Sequence, residues 1–356
     1  MYKKFEETLS FDDVMLVPQY SSILSRSEVD TRTILSNGKK NFSLSIPIIS
    51  ANMDTVTESE MAILMAKMGG LGIIHRFISV EKQVEEVKKV KSQNLIVGAA
   101  VGVKEGELER IKELVAAGAD LIALDIAHGH SKYAIEKVKF IKKEFPSVFI
   151  AAGNVATAEG FKDLADAGAD AVKVGIGAGS ICTTRIVTGF GIPQISAILN
   201  CAPVAQKTKV GLISDGGIKS SGDIVKALAA GADAVMMGNV LAGTDEAPGK
   251  LIEIDGKKFK SYRGMASLQA NLERPDAKSN RDEIIEEGVS AHVPYKGKAE
   301  DIVKKMVGGM RSGLSYAGAK NIAELKKNAK FVKISPAGLR ESNPHDVVFI
   351  NGDIKQ

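Results

Sequence analysis

The sequence predicts an α/β fold in which eight short parallel strands alternate with helices around one core. The chain has 356 residues and 44% hydrophobic content, which is enough to bury a sizeable core. Eight apolar runs alternate with amphipathic stretches, at 46–50, 71–75, 96–101, 121–126, 148–152, 171–175, 210–214 and 234–238. Most of these runs are continuously apolar, which is typical of strands that are buried on both faces.

A short internal repeat supports this alternation. Ala-Gly-Ala-Asp occurs at 117–120, 167–170 and 230–233, each time between a predicted helix and the next strand. Glycine just past a helix end is the expected left-handed cap. Eight strand–helix units favour a (β/α)8 TIM barrel, since a doubly wound sheet would carry Gly-x-Gly-x-x-Gly after its first strand. We therefore predict one barrel domain over 1–356, with a flap at about 267–292 and a C-terminal segment at about 298–356.

Composition excludes several classes of partner. Charged residues make up 25% of the chain and the net charge is +4, without a polybasic block, so we expect no nucleic acid partner. No apolar run reaches the roughly 18 residues of a membrane span, and no secretion signal is recognisable. The two cysteines, Cys182 and Cys201, do not suggest a disulfide framework. We expect a cytoplasmic protein.

The stretch 174–185 (VGIGAGSICTTR) carries the most concentrated chemistry. Glycines at 175, 177 and 179 allow sharp turns and let backbone N–H groups approach an anion. A thiol, two hydroxyls and a guanidinium then follow, ending with Cys182, Thr184 and Arg185. A nucleophile and groups able to transfer a proton or hold an anion thus lie in one loop.

Polar residues follow the other predicted strands as well. They include Asn52, Asp54, His75, Asp125, His128, Asn154, Asp215 and Asn239. In a (β/α)8 barrel the carboxyl ends of the strands form the active site, and phosphate binds near the last strands. The glycine-rich turns after the last three strands therefore predict a phosphorylated small molecule as ligand.

Four ordered segments resemble the IMP dehydrogenase / GMP reductase family. They are 177–185 (GAGSICTTR), 214–218 (SDGGI), 262–265 (YRGM) and 293–297 (VPYKG), and the similarity runs from about 9 to 347. Several motifs in order are more specific than any one alone. The resemblance implies a purine nucleotide as substrate, a nicotinamide cofactor that carries hydride, and a homotetramer.

The resemblance also implies roles for individual residues. Cys182 would attack C2 of the purine, and Thr184 with Glu287 would relay protons. Residues expected to bind the nucleotide are Asn154, Ser180, Arg185, Asp215, Gly217, Gly238, Asn239, Tyr262, Met265 and Ala266. Residues expected beside the cofactor are Asp125, Ala127 and His128. The backbone carbonyls of Gly177, Gly179 and Cys182 would hold a potassium ion.

Two departures bear on the choice of reaction. The family's dehydrogenases usually carry a tandem CBS insert after the helix that follows strand two, whereas here 87–94 leads straight into the next strand. Their flap also bears an Arg-Tyr pair that activates water, and 267–287 contains Arg281 but no tyrosine. Hydrolysis needs a base that activates water, and a reductase does not. We therefore expect NADPH-dependent reduction of GMP to IMP and ammonia.

Two alternatives stay open. The segments 72–75 (GIIH) and 337–346 (AGLRESNPHD) resemble the dehydrogenases, which oxidise IMP to XMP with NAD and potassium. Arg185 or Arg281 would then activate water. A barrel that binds a nucleotide without turnover is the second alternative, but a mere binder needs none of Cys182, Thr184 and Glu287.

Overall fold

The computed structural model describes residues 5–104, 106–272 and 285–344. Three short strands come first: β1 (Val14–Leu16), β2 (Thr33–Ser36) and β3 (Asn41–Leu44). Eight parallel strands then close a barrel: β4 (Ile48–Ser50), β5 (Leu71–Ile74), β6 (Gly98–Val101), β7 (Leu121–Asp125), β8 (Phe149–Val155), β9 (Ala171–Val174), β10 (Gly211–Asp215) and β11 (Ala234–Met237). The barrel closes where β11 pairs with β4. The predicted (β/α)8 barrel is confirmed, and each predicted strand is present with ends shifted by at most three residues.

Helices alternate with the barrel strands. They are α1 (Ser59–Lys67), α2 (Val80–Lys91), α3 (Glu107–Ala116), α4 (Lys132–Glu144), α5 (Ala158–Asp166), α6 (Thr184–Thr188), α7 (Gln194–Thr208) and α8 (Ser221–Ala229). Several begin at a hydroxyl side chain that accepts a hydrogen bond from the first turn: Ser79 on α2, Ser131 on α4, Thr157 on α5 and Ser220 on α8. Such caps satisfy N–H groups that have no partner inside the helix.

The Ala-Gly-Ala-Asp repeat has a structural role beyond the helix cap. Each aspartate makes two hydrogen bonds with one residue at the preceding barrel strand. The backbone N–H of the aspartate donates to the carbonyl of that residue, and the aspartate carboxylate accepts from its N–H. The pairs are Asp120 with Val97, Asp170 with Ile150 and Asp233 with Leu212. Each carboxylate also pairs with a lysine: Lys91, Lys142 and Lys326 respectively. The repeat therefore ties the start of one strand to its neighbour three times around the barrel.

The hairpin of β2 and β3 covers the amino-terminal end of the barrel. Its Leu35 and Leu44 belong to the same buried apolar cluster as Ile49, Leu71 and other residues that fill the barrel. Because this end is covered, ligands reach the barrel at the carboxyl ends of the strands, where the predicted site residues lie.

The chain after the barrel adds two elements that matter for the site. The strands β12 (Ile252–Ile254), β13 (Lys257–Arg263) and β14 (Ser290–Pro294) form an antiparallel sheet, with α9 (Leu268–Leu272) after β13. Then follow α10 (Ala299–Tyr316), α11 (Ile322–Asn328), β15 (Phe331–Lys333) and α12 (Pro336–Glu341), and β15 pairs with β1.

Parts of two predicted segments lie outside the described residues. These parts are 273–284 of the flap, including Arg281, and 345–356 of the C-terminal segment. Between α2 and β6 the chain passes directly through 92–97. Within the described ranges no helix is both long and apolar enough to cross a membrane.

Candidate active site

A cavity of about 320 Å³ opens at the carboxyl ends of the barrel strands. Its lining includes seven of the residues expected to bind a nucleotide: Ser180, Arg185, Asp215, Gly217, Gly238, Asn239 and Tyr262. A larger cavity of about 730 Å³ is lined by residues of β2, α7 and α11 and contains none of the predicted site residues. The smaller cavity is the candidate nucleotide site, because it gathers these predicted binding residues. Cys182, Thr184 and Glu287 are not among the described residues that line it.

A chain of hydrogen bonds joins the three residues expected to be catalytic. The Cys182 Sγ donates to Thr184 Oγ1 at 3.1 Å, and Thr184 Oγ1 donates to Glu287 Oε2 at 2.9 Å. Cys182 is partly exposed. The arrangement can carry a proton from the thiol to the carboxylate in two short steps.

Main-chain contacts hold Glu287 in place although it is distant in sequence. Thr183 N donates to the Glu287 carbonyl at 3.0 Å, and Cys182 forms a β-bridge with Gly288. A Cβ on Gly288 would lie 3.2 Å from the Gly264 Cα and 3.4 Å from the Ile181 carbonyl oxygen. Glycine at 264 and 288 therefore lets the segment that carries Glu287, just before β14, approach the Cys182 loop.

The segment between β13 and Glu287 also positions the two residues expected at the base. Met265 and Ala266 are half-buried, and the Ala266 carbonyl accepts from Glu287 N at 3.1 Å. These residues thus lie beside the proton-relay carboxylate.

One wall of the cavity is suited to an anion. Gly216 and Gly217 have φ values of +97° and +81°, a conformation that favours glycine and that is common in loops whose backbone N–H groups bind anions. Tyr262 is 3% exposed, and burial raises the pKa of its phenol to about 12, so its hydroxyl stays protonated. That hydroxyl lies 3.4 Å from Ser180 Oγ. Backbone and hydroxyl donors together fit a phosphate group.

Glycine at 238 keeps this end of the cavity open. A Cβ at that position would lie 3.1 Å from Met53 Sδ and 3.2 Å from the Tyr262 hydroxyl. Asn239 follows and also lines the cavity, while its carbonyl accepts from Lys296 Nζ at 2.5 Å.

Asn154 orients the carboxylate of Asp215. Its Nδ2 donates to Asp215 Oδ2 and to the Gly175 carbonyl, both at 2.9 Å. One amide thereby connects the ends of β8 and β10 with the start of the Cys182 loop. This contact fixes Asp215 at the cavity wall, where it can accept hydrogen bonds from hydroxyl groups.

Lys173 is a functional candidate that the sequence analysis missed. It is 1% exposed, and its Nζ lies 2.6 Å from Asp125 Oδ1 and 3.5 Å from Asp215 Oδ2. Burial opposes the charged lysine, but the two carboxylates outweigh burial and raise its pKa. The available signal was a single charged residue inside the buried run 171–174 (AVKV), because a lysine buried in a strand needs an anionic partner.

The three residues expected beside the cofactor lie at the end of β7. Burial would raise the pKa of Asp125, but Lys173 and Arg76 outweigh it and hold that pKa below its usual range. Ala127 and His128 are exposed at the rim. The structure therefore places a charged carboxylate inside the mouth and an accessible edge next to it.

Arg185 lines the cavity, but its guanidinium is engaged by the protein. Nη2 donates to the carbonyls of Ile176 and Ile192 at 3.3 and 2.6 Å. Among the carbonyls expected to hold potassium, that of Gly179 accepts from Cys182 N at 3.1 Å. The potassium site stays a prediction.

Comparison with known proteins agrees with this geometry. A model of the IMP dehydrogenase / GMP reductase domain matches residues 8–345. The inosine-5'-monophosphate dehydrogenase of Nitrosopumilus maritimus is 40% identical, with 98% of this chain and 100% of that protein covered. The GMP reductase of Leishmania major is 38% identical, with 96% and 97% covered.

A solved structure gives the same result. It is GMP reductase from Trypanosoma brucei in complex with guanosine 5'-monophosphate, with a TM-score of 0.89, 36% identity, and coverage of 97% of this chain and 99% of that one. Relatives under both names are oxidoreductases of purine nucleotides. The chain is therefore a purine nucleotide oxidoreductase that belongs to the IMP dehydrogenase / GMP reductase family.

Proposed function

We propose that this enzyme is a GMP reductase, which converts GMP into IMP and ammonia at the expense of NADPH. The observation that carries the proposal is the hydrogen-bonded chain from Cys182 through Thr184 to Glu287. It supplies a nucleophile and a proton route that begin two residues after Ser180, which lines the nucleotide cavity. The direction of the reaction follows from the segment 267–287, which lacks the tyrosine that the resemblance associates with water activation.

The residues of this relay account for the proton movements. The Cys182 thiol passes its proton through Thr184 to Glu287, and the thiolate attacks C2 of GMP, forming a C–S bond. A proton returned by the same route leaves with the exocyclic amine as the C2–N bond breaks. When bound, the nicotinamide cofactor supplies the hydride that C2 receives, and the C–S bond then breaks to restore the thiolate. The sum is GMP, NADPH and two protons giving IMP, NADP⁺ and ammonium.

The cavity wall supports a specific placement of the nucleotide. The 5′-phosphate would accept hydrogen bonds at the anion-binding end, from Ser180, Gly217, Gly238, Asn239 and Tyr262. Asp215 would accept from the ribose hydroxyls, because Asn154 already holds its carboxylate at 2.9 Å. Met265 and Ala266 would then face the purine, next to Glu287.

The end of β7 fits a nicotinamide nucleotide. The Asp125 carboxylate can accept from ribose hydroxyls, and the exposed Ala127 and His128 leave room for an extended ligand at the rim. We assign these residues to the cofactor, with NADPH as the reductant. A potassium ion on the carbonyls of Gly177, Gly179 and Cys182 is part of the same proposal.

IMP dehydrogenase is the second candidate. Relatives with that name are 40% and 44% identical to this chain in Nitrosopumilus maritimus and Borreliella burgdorferi, against 38% for the reductase of Leishmania major. A dehydrogenase would use NAD and would need a group that activates water. Of the two arginines considered, Arg185 already donates to two carbonyls and Arg281 lies outside the described residues. The reductase remains the first proposal, because 267–287 lacks the tyrosine that the resemblance associates with water activation.

Two assays on the purified enzyme decide between the reactions by following the absorbance of reduced nicotinamide. One contains GMP with NADPH or NADH, and the other contains IMP with NAD and potassium chloride. We expect loss of absorbance with GMP, together with IMP and ammonia. Gain of absorbance with IMP, together with XMP, would establish the dehydrogenase instead. If the absorbance changes in neither assay but GMP still binds, a barrel that binds a nucleotide without turnover is favoured.

We further propose that the enzyme is a homotetramer in the cytoplasm. Ile186 lies in α6 and Phe190 lies just after it, next to the Cys182 loop, and they are 86% and 76% exposed in the single chain. Large apolar side chains at one exposed site are typical of a subunit contact. Light scattering on the purified protein gives its mass directly, and a monomer of about 38 kDa would contradict the tetramer.

A further inference from the structure

The side chain of Arg185 packs between two backbone segments, one of them in the Cys182 loop, and does not extend freely into the cavity. A Cβ added at Gly177 would lie 2.5 Å from Arg185 Cγ, and one added at Gly191 would lie 2.6 Å from it. Both glycines have positive φ, +76° and +151°. The aliphatic part of Arg185 therefore lies between two backbone segments that no larger residue could bring so close.

The guanidinium of Arg185 connects those same two segments. Its Nη2 donates to the Ile176 carbonyl, in the loop that leads to Cys182, and to the Ile192 carbonyl, just before α7. Hydrogen bonds from a charged donor are stronger than those between neutral groups. Arg185 thus ties the catalytic loop to the start of α7.

Gln194 fixes the start of α7 to the barrel. It is 2% exposed, and its Nε2 donates to the Val174 carbonyl at 2.7 Å and to Ser214 Oγ at 3.1 Å. Because the Val174 carbonyl can only accept, the amide nitrogen must face it, which settles the orientation of the side chain. Gln194 therefore joins the ends of β9 and β10 to the start of α7, next to the Ile192 carbonyl that accepts from Arg185.

Gly175 allows this close packing at the base of the loop. A Cβ at this position would lie 2.0 Å from the Asp215 carbonyl oxygen and 2.9 Å from Gln194 Oε1. Glycine at 175, 177 and 191 thus leaves room for the side chains of Arg185 and Gln194. These two side chains pack against the loop that carries Cys182.

We propose that Arg185 and Gln194 are positioning residues that set the place of Cys182. We call these two side chains the internal brace. Arg185 acts on the reaction through the catalytic loop and not by binding the nucleotide. The proposal deepens the proposed reductase function and rests on it for its effect on turnover. A misplacement of about 1 Å at a reacting group costs on the order of 100-fold in rate, so loss of the brace should be measurable.

The first test is Arg185→Ala, with two readouts that need no turnover. These are the rate of Cys182 alkylation by iodoacetamide and the dissociation constant of GMP by calorimetry. We expect alkylation to change by about tenfold or more while GMP affinity stays within about threefold. A large loss of GMP affinity with unchanged alkylation would show that Arg185 binds the nucleotide directly, and would overturn the proposal. An unchanged rate of Cys182 alkylation in Arg185→Ala would also overturn the proposal.

Chemical rescue separates positioning from a general loss of structure. Free guanidinium at millimolar concentration should restore the alkylation rate of Arg185→Ala, because the planar cation can again reach both carbonyls. It should leave the wild type unchanged. If both readouts change in the variant and guanidinium restores neither, the brace is not the cause.

Gln194→Met provides a second, independent variant. Its thioether side chain has a similar length but cannot donate to the Val174 carbonyl, so we expect the same change in alkylation as in Arg185→Ala. The matched control is Lys207→Ala on the exposed face of α7, which should leave both readouts unchanged. Since neither readout depends on turnover, failure of the brace and failure of the reductase assignment give different results: inactive wild type with brace-dependent alkylation would contradict only the reductase.

Discussion

Lys173 and Asp125 form an ion pair at the mouth of the barrel, with Nζ 2.6 Å from Oδ1 and the lysine 1% exposed. The same ammonium lies 3.5 Å from Asp215. One buried cation therefore joins the carboxylate that we assign to the cofactor side and the carboxylate that we assign to the nucleotide side. We therefore expect a change of charge at either carboxylate to alter the electrostatic environment of the other.

Lys173→Met should destabilise the protein, because it leaves two carboxylates near each other without their cation. Breaking a buried pair by removing one partner costs about 3–5 kcal/mol. The free energy of unfolding, from urea titration, measures this loss. The matched control is Lys132→Met on α4, whose exposed pair with Glu136 should contribute less than about 1 kcal/mol. Equal effects of the two substitutions would show that the buried cation does not stabilise the site.

Glu287→Gln should lower the turnover of GMP by about 10²- to 10⁴-fold, because an amide keeps the shape of the side chain but cannot take a proton. Binding of GMP should change little. The control is Glu286→Gln, whose side chain is exposed next to the relay and should remain active. Steady-state kinetics and calorimetry measure the two effects. Full activity in Glu287→Gln would exclude the carboxylate from the relay.

The sequence predicts the barrel well because its strands are buried on both faces, which leaves continuous apolar runs. It also predicts that Cys182 and Thr184 act together, since they are two residues apart. The hydrogen bond between Thr184 and Glu287 joins residues 103 positions apart, and only the family resemblance suggests it. Lys173 lies within an apolar run that predicts a strand, and its partner Asp125 is 48 positions away, so the sequence does not indicate the pair.

The bonds of Arg185 illustrate a further limit of prediction from sequence. Its guanidinium bonds to backbone carbonyls, whose directions depend on loop conformation and not on side-chain identity. The repeated aspartates show the reverse. Their recurrence was visible in the sequence, but only the fold shows that each carboxylate accepts from a neighbouring strand and from a lysine.

Asp170→Asn should destabilise the barrel by about 1–3 kcal/mol, because the fully buried carboxylate accepts from Ile150 N and pairs with Lys142. Urea unfolding measures the change. Asp166→Asn is the matched control, since its carboxylate is more than half exposed and pairs with the exposed Lys162. We expect a loss below about 1 kcal/mol there. A neutral Asp170→Asn would mean that the repeated aspartate is dispensable for stability.

Lys296 should make the stability of the protein depend on pH in the alkaline range. Burial lowers its pKa from the ordinary 10.5 to about 8, and its Nζ donates to the Asn239 carbonyl. Between these two values the unfolded chain binds more protons than the folded one, so the free energy of unfolding rises as pH increases from about 8 to about 10.5. Below about pH 8 the charged lysine is held in both states, and its burial counts against the fold.

Lys296→Met should therefore remove this rise. Urea unfolding at about pH 7 and at about pH 10 measures it as the difference between the two free energies, which should shrink in the variant. Lys298→Met, at an exposed position two residues further on, should keep the difference found in the wild type. If Lys296→Met also kept it, another group would be responsible for the alkaline slope, and the buried ammonium beside Asn239 would have no effect on stability.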